Sequence, residues 1–113
     1  MTTAPMNLFG AGVQLADKWQ VRAHRVETDA DVHADHWEIH PDDDEVVACL
    51  TGGMRLYLRP QGPADHEVEA VLPAGTAVVV PGGRWHRIEL DSPSELLAIT
   101  VAKGSRLQKR EEP

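Results

Sequence analysis

His36, Glu38 and His40 stand two residues apart in the stretch Asp35–Glu45, which reads D-H-W-E-I-H-P-D-D-D-E. In a strand, side chains two apart share a face. An extended backbone here therefore aims two imidazoles and a carboxylate one way, and Trp37 and Ile39 the other. Such a face is either wetted surface or a set of ligands turned into a pocket. A further histidine, His86, lies on the apolar parity of Arg84–Leu90, with Ile88 and Leu90. Taken alone, it reads first as a core histidine with its polar atoms satisfied, and second as a ligand. Cys49 reads as a small buried core thiol. His36 reads as a surface residue, and His24, His33 and His66 as surface or loop residues. Trp19, Trp37 and Trp85 read as packing or interface residues.

The elements that must position these groups are short strands. Trp19–Val26 alternates Trp19, Val21 and Ala23 against Gln20, Arg22 and His24. Asp35–His40 is the strand described above, and Pro41 ends its regular pairing. Glu45–Thr51 carries the apolar run Val46–Leu50, and Gly52-Gly53 reads as a tight hairpin turn. Met54–Arg59, Glu67–Leu72 and Thr76–Val80 follow as strands. The next is Arg84–Leu90, then a turn at Asp91–Pro93 and a last strand at Glu95–Ala102. Roughly seven or eight strands, with no long amphipathic helix, predict an all-β antiparallel sandwich or barrel of jelly-roll type.

The chain has 113 residues, which predicts one domain over 1–113. A loose N-terminal arm is expected over about 1–12 and a charged, loose C-terminal tail over about 103–113. Lys plus Arg is 11 and Asp plus Glu is 18, a formal charge of −7. That balance argues against nucleic acid or an anionic membrane surface as partner. Nine of the acids lie between Glu27 and Glu45, where there is no Lys or Arg. The single cysteine allows neither an intramolecular disulfide nor a thiolate zinc cage. Met1–Gly10 lacks a basic region followed by an apolar run, and Ala77–Pro81 is too short to span a bilayer, so a cytoplasmic protein is expected.

Gly75-Thr76-Ala77-Val78-Val79-Val80-Pro81-Gly82-Gly83-Arg84-Trp85-His86 matches the second cupin motif, G-x5-P-x-G-x2-H, at every defined position. His40, Glu45 and Gly52 stand at the spacings of the second histidine, the glutamate and the closing glycine of the first motif. Over about Asp35–Leu90 the chain resembles a single-domain cupin, which implies an antiparallel jelly-roll β-barrel. It departs from the pattern at three places. Glu38 stands at the first histidine of the first motif, Leu90 at the usual asparagine after the second, and Val32 and His33 near the opening glycine.

In that family two histidines, a glutamate and a third histidine hold one divalent metal. The resemblance implies the set Glu38, His40, Glu45 and His86 in this chain. Two neutral imidazoles and two carboxylates balance one divalent cation, and N/O ligation suits Fe, Mn, Ni or Zn. Without a cation, two carboxylates in one cavity resist joint ionisation, so one of them would keep its proton. The expected function is a small metal-binding cupin of unassigned activity, acting on a small oxygen-rich molecule. The alternative is a non-catalytic small-molecule-binding cupin, favoured by the absent histidine and asparagine. A homodimer is also expected, through an outer apolar face including Trp19, Val21 and Trp37.

Overall fold

The computed structural model describes residues 13–15, 19–101 and 103–111. The expected arm at 1–12 lies outside them. The described residues form eight strands: β1 (Val13–Leu15), β2 (Trp19–Val26), β3 (His36–Ile39), β4 (Glu45–Leu58), β5 (Val68–Pro73), β6 (Thr76–Val80), β7 (His86–Val101) and β8 (Arg106–Lys109). A short 3-10 turn, Asp29–Val32, lies between β2 and β3. Every strand pairing is antiparallel. β1, β2, β7, β3 and β8 neighbour one another in that order, and β4 pairs with β5, β6 and β7. Among the described residues no helix is long and apolar enough to cross a membrane.

Two expected turns are strand interior. Gly52-Gly53 does not close a hairpin, and Asp91–Pro93 does not separate two strands. β4 and β7 instead run beside each other from Val46↔Ile99 to Leu58↔His86, with register shifts between Cys49 and Met54. Burial along β4 falls on Glu45, Val47 and Cys49, then on Met54 and Leu56. The irregularity thus moves the inward side chains from odd to even positions, as a bulge does. Gly52 has φ +86, and a Cβ there would lie 2.4 Å from the Pro93 carbonyl oxygen and from Ser94 Oγ. Ser94, 1% exposed, sits at this crossing. Its hydroxyl accepts from the Gly53 N–H at 3.1 Å and lies 2.8 Å from the Ser92 carbonyl. A Gly-Gly pair permits a turn or a bulge equally, and only the facing strand selects between them.

The apolar cluster comprises Val26, Val47, Cys49, Met54, Leu56, Leu72, Val80 and Leu96, so Cys49 is the core thiol that its parity implied. Segment 103–111 is not loose. β8 pairs with β3 from His36↔Lys109 to Ile39↔Arg106. All four β8 side chains are exposed, though Gln108 accepts from Arg59 and Arg106 lies over the Trp85 ring. The face carrying Val21 and Trp37 is not open either: Val21 is 8% and Trp37 9% exposed within the chain itself. Arg87, on the strand parity opposite His86, is also buried, at 6% exposure. Its guanidinium lies over the Tyr57 ring at 4.1 Å and the Trp37 ring at 5.2 Å, with Glu67 and Glu89 as ion-pair partners. Burying a cation this way works because aromatic faces and two carboxylates replace its water.

Candidate metal centre

Three elements bring the four expected residues together. Glu38 lies on β3, and its Cα partner across the pair is His86, the first residue of β7. His40 follows β3 directly, and Glu45 opens β4 opposite Val80 of β6. The Pro81–Gly83 turn holds these pieces in place. Gly83, at φ +78, donates its N–H to the His40 carbonyl at 2.9 Å. Gly82 donates to Asp44 Oδ1 at 2.9 Å and packs so close that a Cβ would meet Asp43 backbone atoms at 2.9 Å. Gly82 is therefore required by contact and Gly83 by its left-handed backbone, and together they dock the start of β7 onto the turn that carries His40 and Glu45.

The donor atoms of Glu38, His40, Glu45 and His86 all lie within 4.8 Å of one another. His40 Nε2 is 3.3 Å from Glu38 Oε1 and 3.3 Å from Glu45 Oε2. His86 Nε2 is 3.0 Å from Glu45 Oε1 and 3.7 Å from Glu38 Oε1. The two rings are 5.6 Å apart, tilted by 34°. Donors about 2.1 Å from a central ion are separated by roughly 3.0 Å along an octahedral edge and 3.4 Å along a tetrahedral one. The separations of 3.0, 3.3 and 3.3 Å match those edges and the 3.7 Å from His86 to Glu38 is longer, so His40, Glu45 and His86 fit one divalent ion with Glu38 as the more distant donor.

The outer atoms of both rings fit it as well. His86 Nδ1 faces the Arg84 carbonyl at 3.2 Å, an acceptor only, so in the neutral ring Nδ1 carries the proton and Nε2 the lone pair. His40 Nδ1 is 2.7 Å from Ser105 Oγ, and Thr100 Oγ1 lies 3.4–3.5 Å from the ring nitrogens. Each imidazole is thus held by oxygen at Nδ1 and presents Nε2 inward, the usual support for a ligating histidine.

His40, Glu45 and His86 are buried at 7%, 6% and 2% exposure, while the Glu38 side chain is 40% exposed. Burial opposes charge on each of them. For His40, burial lowers the imidazolium's pKa, but hydrogen bonds that it donates to Glu38 and Glu45 outweigh it and raise it to about 10. His86 is likewise lowered by burial and raised by the same two carboxylates, to about 9. Burial lifts Glu38, yet the two imidazoles bring it down to about 2, and Glu45 is lowered for the same reasons. Without an ion, these directions favour protons on the imidazoles over the expected carboxyl that keeps its own. Two imidazoliums neutralise two carboxylates, and so does one divalent cation held by neutral rings.

The four residues open onto a cavity of about 440 Å³. Val26, Val47, Ile88 and Leu96 supply apolar wall, and Gln20, Arg22 and His24 line it from β2. His24, expected at the surface, is half-buried and lines the cavity, whereas His33, just after the 3-10 turn, is the exposed turn residue expected, at the cavity's rim. His24 has its pKa lowered, first by burial and then by Arg22. His36 does not join the cluster; its Nδ1 pairs with Asp35 at 2.8 Å. Sequence reasoning missed Ser105 and Thr100. Thr100 shares the inward parity of Leu96 and Ala98 and was readable as a polar residue on that face. Ser105 had no signal, because a lone serine beside a charged run has no periodicity.

Neither a family model nor a curated protein matches the sequence. Solved structures do match. A cupin-2 domain protein from Shewanella frigidimarina aligns with a TM-score of 0.58 at 22% identity, covering 80% of this chain and 76% of its own. A cupin superfamily protein from Desulfitobacterium hafniense aligns with a TM-score of 0.58 at 16% identity, covering 80% and 72%. A hydroquinone 1,2-dioxygenase in complex with Cd2+ and 4-hydroxybenzonitrile aligns with a TM-score of 0.60 at 19% identity, covering 90% and 68%. The strand order, the docked Pro81–Gly83 turn and these likenesses agree on one architecture: the chain has the cupin fold.

Proposed function

We propose that this chain is a small metal-binding cupin of unassigned activity. One divalent transition metal, of the Fe, Mn, Ni or Zn type, is held by Glu38, His40, Glu45 and His86. A small oxygen-rich molecule binds beside it in the cavity. The observation that carries this reading is the convergence of both Nε2 atoms on two carboxylates, with both Nδ1 atoms tied to oxygen. The Cd2+ complex of the dioxygenase relative supports a divalent ion in this fold. When bound, such an ion supplies Lewis acidity and open coordination positions. The chain's own part is to orient the imidazoles through Ser105 and the Arg84 carbonyl. The buried, partly apolar walls keep bulk water from the ligand, and the half-exposed Glu38 stands nearest solvent.

A second reading is favoured by the charge balance. The imidazoles' pKa values are raised and the carboxylates' lowered by one another, so the four groups can offset each other's charge without an ion. This makes the chain a non-catalytic small-molecule-binding cupin. Metal content decides between the two. Wild type, His40→Ala and His86→Ala are equilibrated singly with Fe2+, Mn2+, Ni2+ or Zn2+, freed of excess, and assayed by elemental analysis. The first reading expects close to one ion per wild-type chain and loss in both variants. Absence of metal from all three removes the first.

The proposal extends to the whole chain as one domain whose strands close into a jelly-roll barrel, in a cytoplasmic homodimer that binds neither nucleic acid nor membrane. The net charge of −7 supports the last point. With Val21 and Trp37 buried, support for a dimer moves to the exposed Val71, Val79 and Leu107, at 57%, 61% and 52% exposure. A monomeric mass by light scattering at micromolar concentration would refute it.

A further inference from the structure

Gln20, Arg22 and His24 share the cavity-facing side of β2, and their partners across the strand pair are Thr100, Ala98 and Leu96. Thr100 touches the His40 ring. Arg22 therefore stands one step along the strand from the level of the His40 contact, a distance of roughly 7 Å for two residues. Its neighbour across the pair is the small Ala98, so no bulky side chain on that strand covers the guanidinium.

Arg22 is a half-buried cation whose Nε is buried without a hydrogen-bond partner, and it makes no ion pair among the described residues. Two other arginines also have an orphaned Nε, but each is engaged through at least one other nitrogen. Arg84 donates to the Arg59 carbonyl, and Arg87 pairs with Glu67 and Glu89. The carboxylates that share the cavity with Arg22 are committed elsewhere: Glu38 and Glu45 to the two imidazoles, and Asp31 to the N–H groups of Glu27 and Thr28. In a chain with 18 acidic and 11 basic side chains, a cation left unpaired beside a cavity needs a reason. A guanidinium offers a planar fork that matches a carboxylate in two hydrogen bonds.

We infer that Arg22 is the docking point for the carboxylate of a small organic acid. The acid spans the cavity from the guanidinium to the Glu38–His40–Glu45–His86 cluster. This names the substrate class of the proposed site and rests on that reading. Gln20 and His24 flank the docked group, and the apolar wall of Val47 and Leu96 takes its carbon chain.

The test uses succinate, succinamate and succinamide, which have nearly the same shape and carry two, one and no carboxylates. Each is titrated calorimetrically into metal-loaded wild type, Arg22→Met and Arg22→Lys, with metal content assayed on the same samples. The expected result is binding in the order succinate, succinamate, succinamide. In Arg22→Met the preference for succinate falls roughly 10- to 100-fold at unchanged metal content, and Arg22→Lys lies between. An unchanged preference in Arg22→Met, or equal binding of the three probes to wild type, overturns the inference and leaves the metal proposal standing. Metal-free wild type overturns the metal proposal instead. The same titrations on the ion-free chain then decide the Arg22 site alone: succinate binding lost in Arg22→Met supports it, and absent or Arg22-independent binding removes it.

Discussion

Glu38 and His86 are direct partners across the β3–β7 pair, yet 48 positions separate them in the chain. The family's usual imidazole is replaced at one of these places by a carboxylate that lies 3.7 Å from His86 Nε2 and 3.3 Å from His40 Nε2. If Glu38 is a ligand, Glu38→Gln keeps its shape, removes one anion and weakens metal binding by roughly 10- to 100-fold. Competition against a chromophoric chelator measures this. Affinity equal to wild type would show that Glu38 only borders the site.

Ser105 holds His40 from outside the cluster, through a 2.7 Å hydrogen bond to Nδ1. Ser105→Ala is expected to lower metal affinity about 10-fold, the cost of losing an orienting partner, with little change in the unfolding midpoint. The same chelator competition checks the first part and urea unfolding the second. A large loss of stability with intact affinity would assign Ser105 to strand packing instead.

In the ion-free protein, stability should depend on pH in two directions. His40 and His86 are raised to about 10 and about 9 from 6.5, so their contribution is whole below pH 6.5 and is lost as pH climbs through 9–10. Glu38 is lowered to about 2 from 4.5, so its contribution is whole above pH 4.5 and is lost as pH falls toward 2. The cluster therefore stabilises most between about pH 4.5 and 6.5. Urea midpoints across pH 3–10 should show an alkaline decline for wild type that is reduced in His40→Ala. Parallel profiles for the two proteins would exclude the cluster as its origin.

Metal binding must displace both imidazole protons. At pH 7 each ring lies below its raised pKa, so close to two protons leave per ion bound. Calorimetry in buffers of differing ionisation enthalpy counts them. A count near zero would mean that the ion sits somewhere other than on these histidines.

Gly52→Ala places a Cβ 2.4 Å from the Pro93 carbonyl oxygen at a backbone φ of +86. The combined overlap and left-handed strain should cost roughly 2–4 kcal/mol of stability. Gly62→Ala, which meets no atom within 4 Å, is the control and should be near neutral. Similar unfolding midpoints for the two variants would disprove the crossing described for β4 and β7.

Local physics wrote much of this molecule into the sequence. Alternation fixed β2 and β3, since Trp19–Val26 has the expected bounds and His36–Ile39 presents Trp37 and Ile39 opposite Glu38. The cupin motifs named Glu38, His40, Glu45 and His86, and the structure brings all four within one small volume. Their spacing could be read because a strand has period two and the Pro81–Gly83 turn needs glycine, at Gly82 for space and at Gly83 for its positive φ.

The rest depended on partners far away in the chain. Whether Gly52-Gly53 turns or bulges is settled by Ser94 across the pair, and no local residue records that. Segment 103–111 joins the sheet through backbone hydrogen bonds to β3, which any sequence without proline can supply, so its exposed charges misread as a loose tail. The polar face of β2 looked like surface because polar alternation has the same pattern against water as against a lined cavity. Only the folding of β2 over the cluster made Arg22 and His24 interior, and only that proximity left Arg22 without a protein partner for its buried nitrogen.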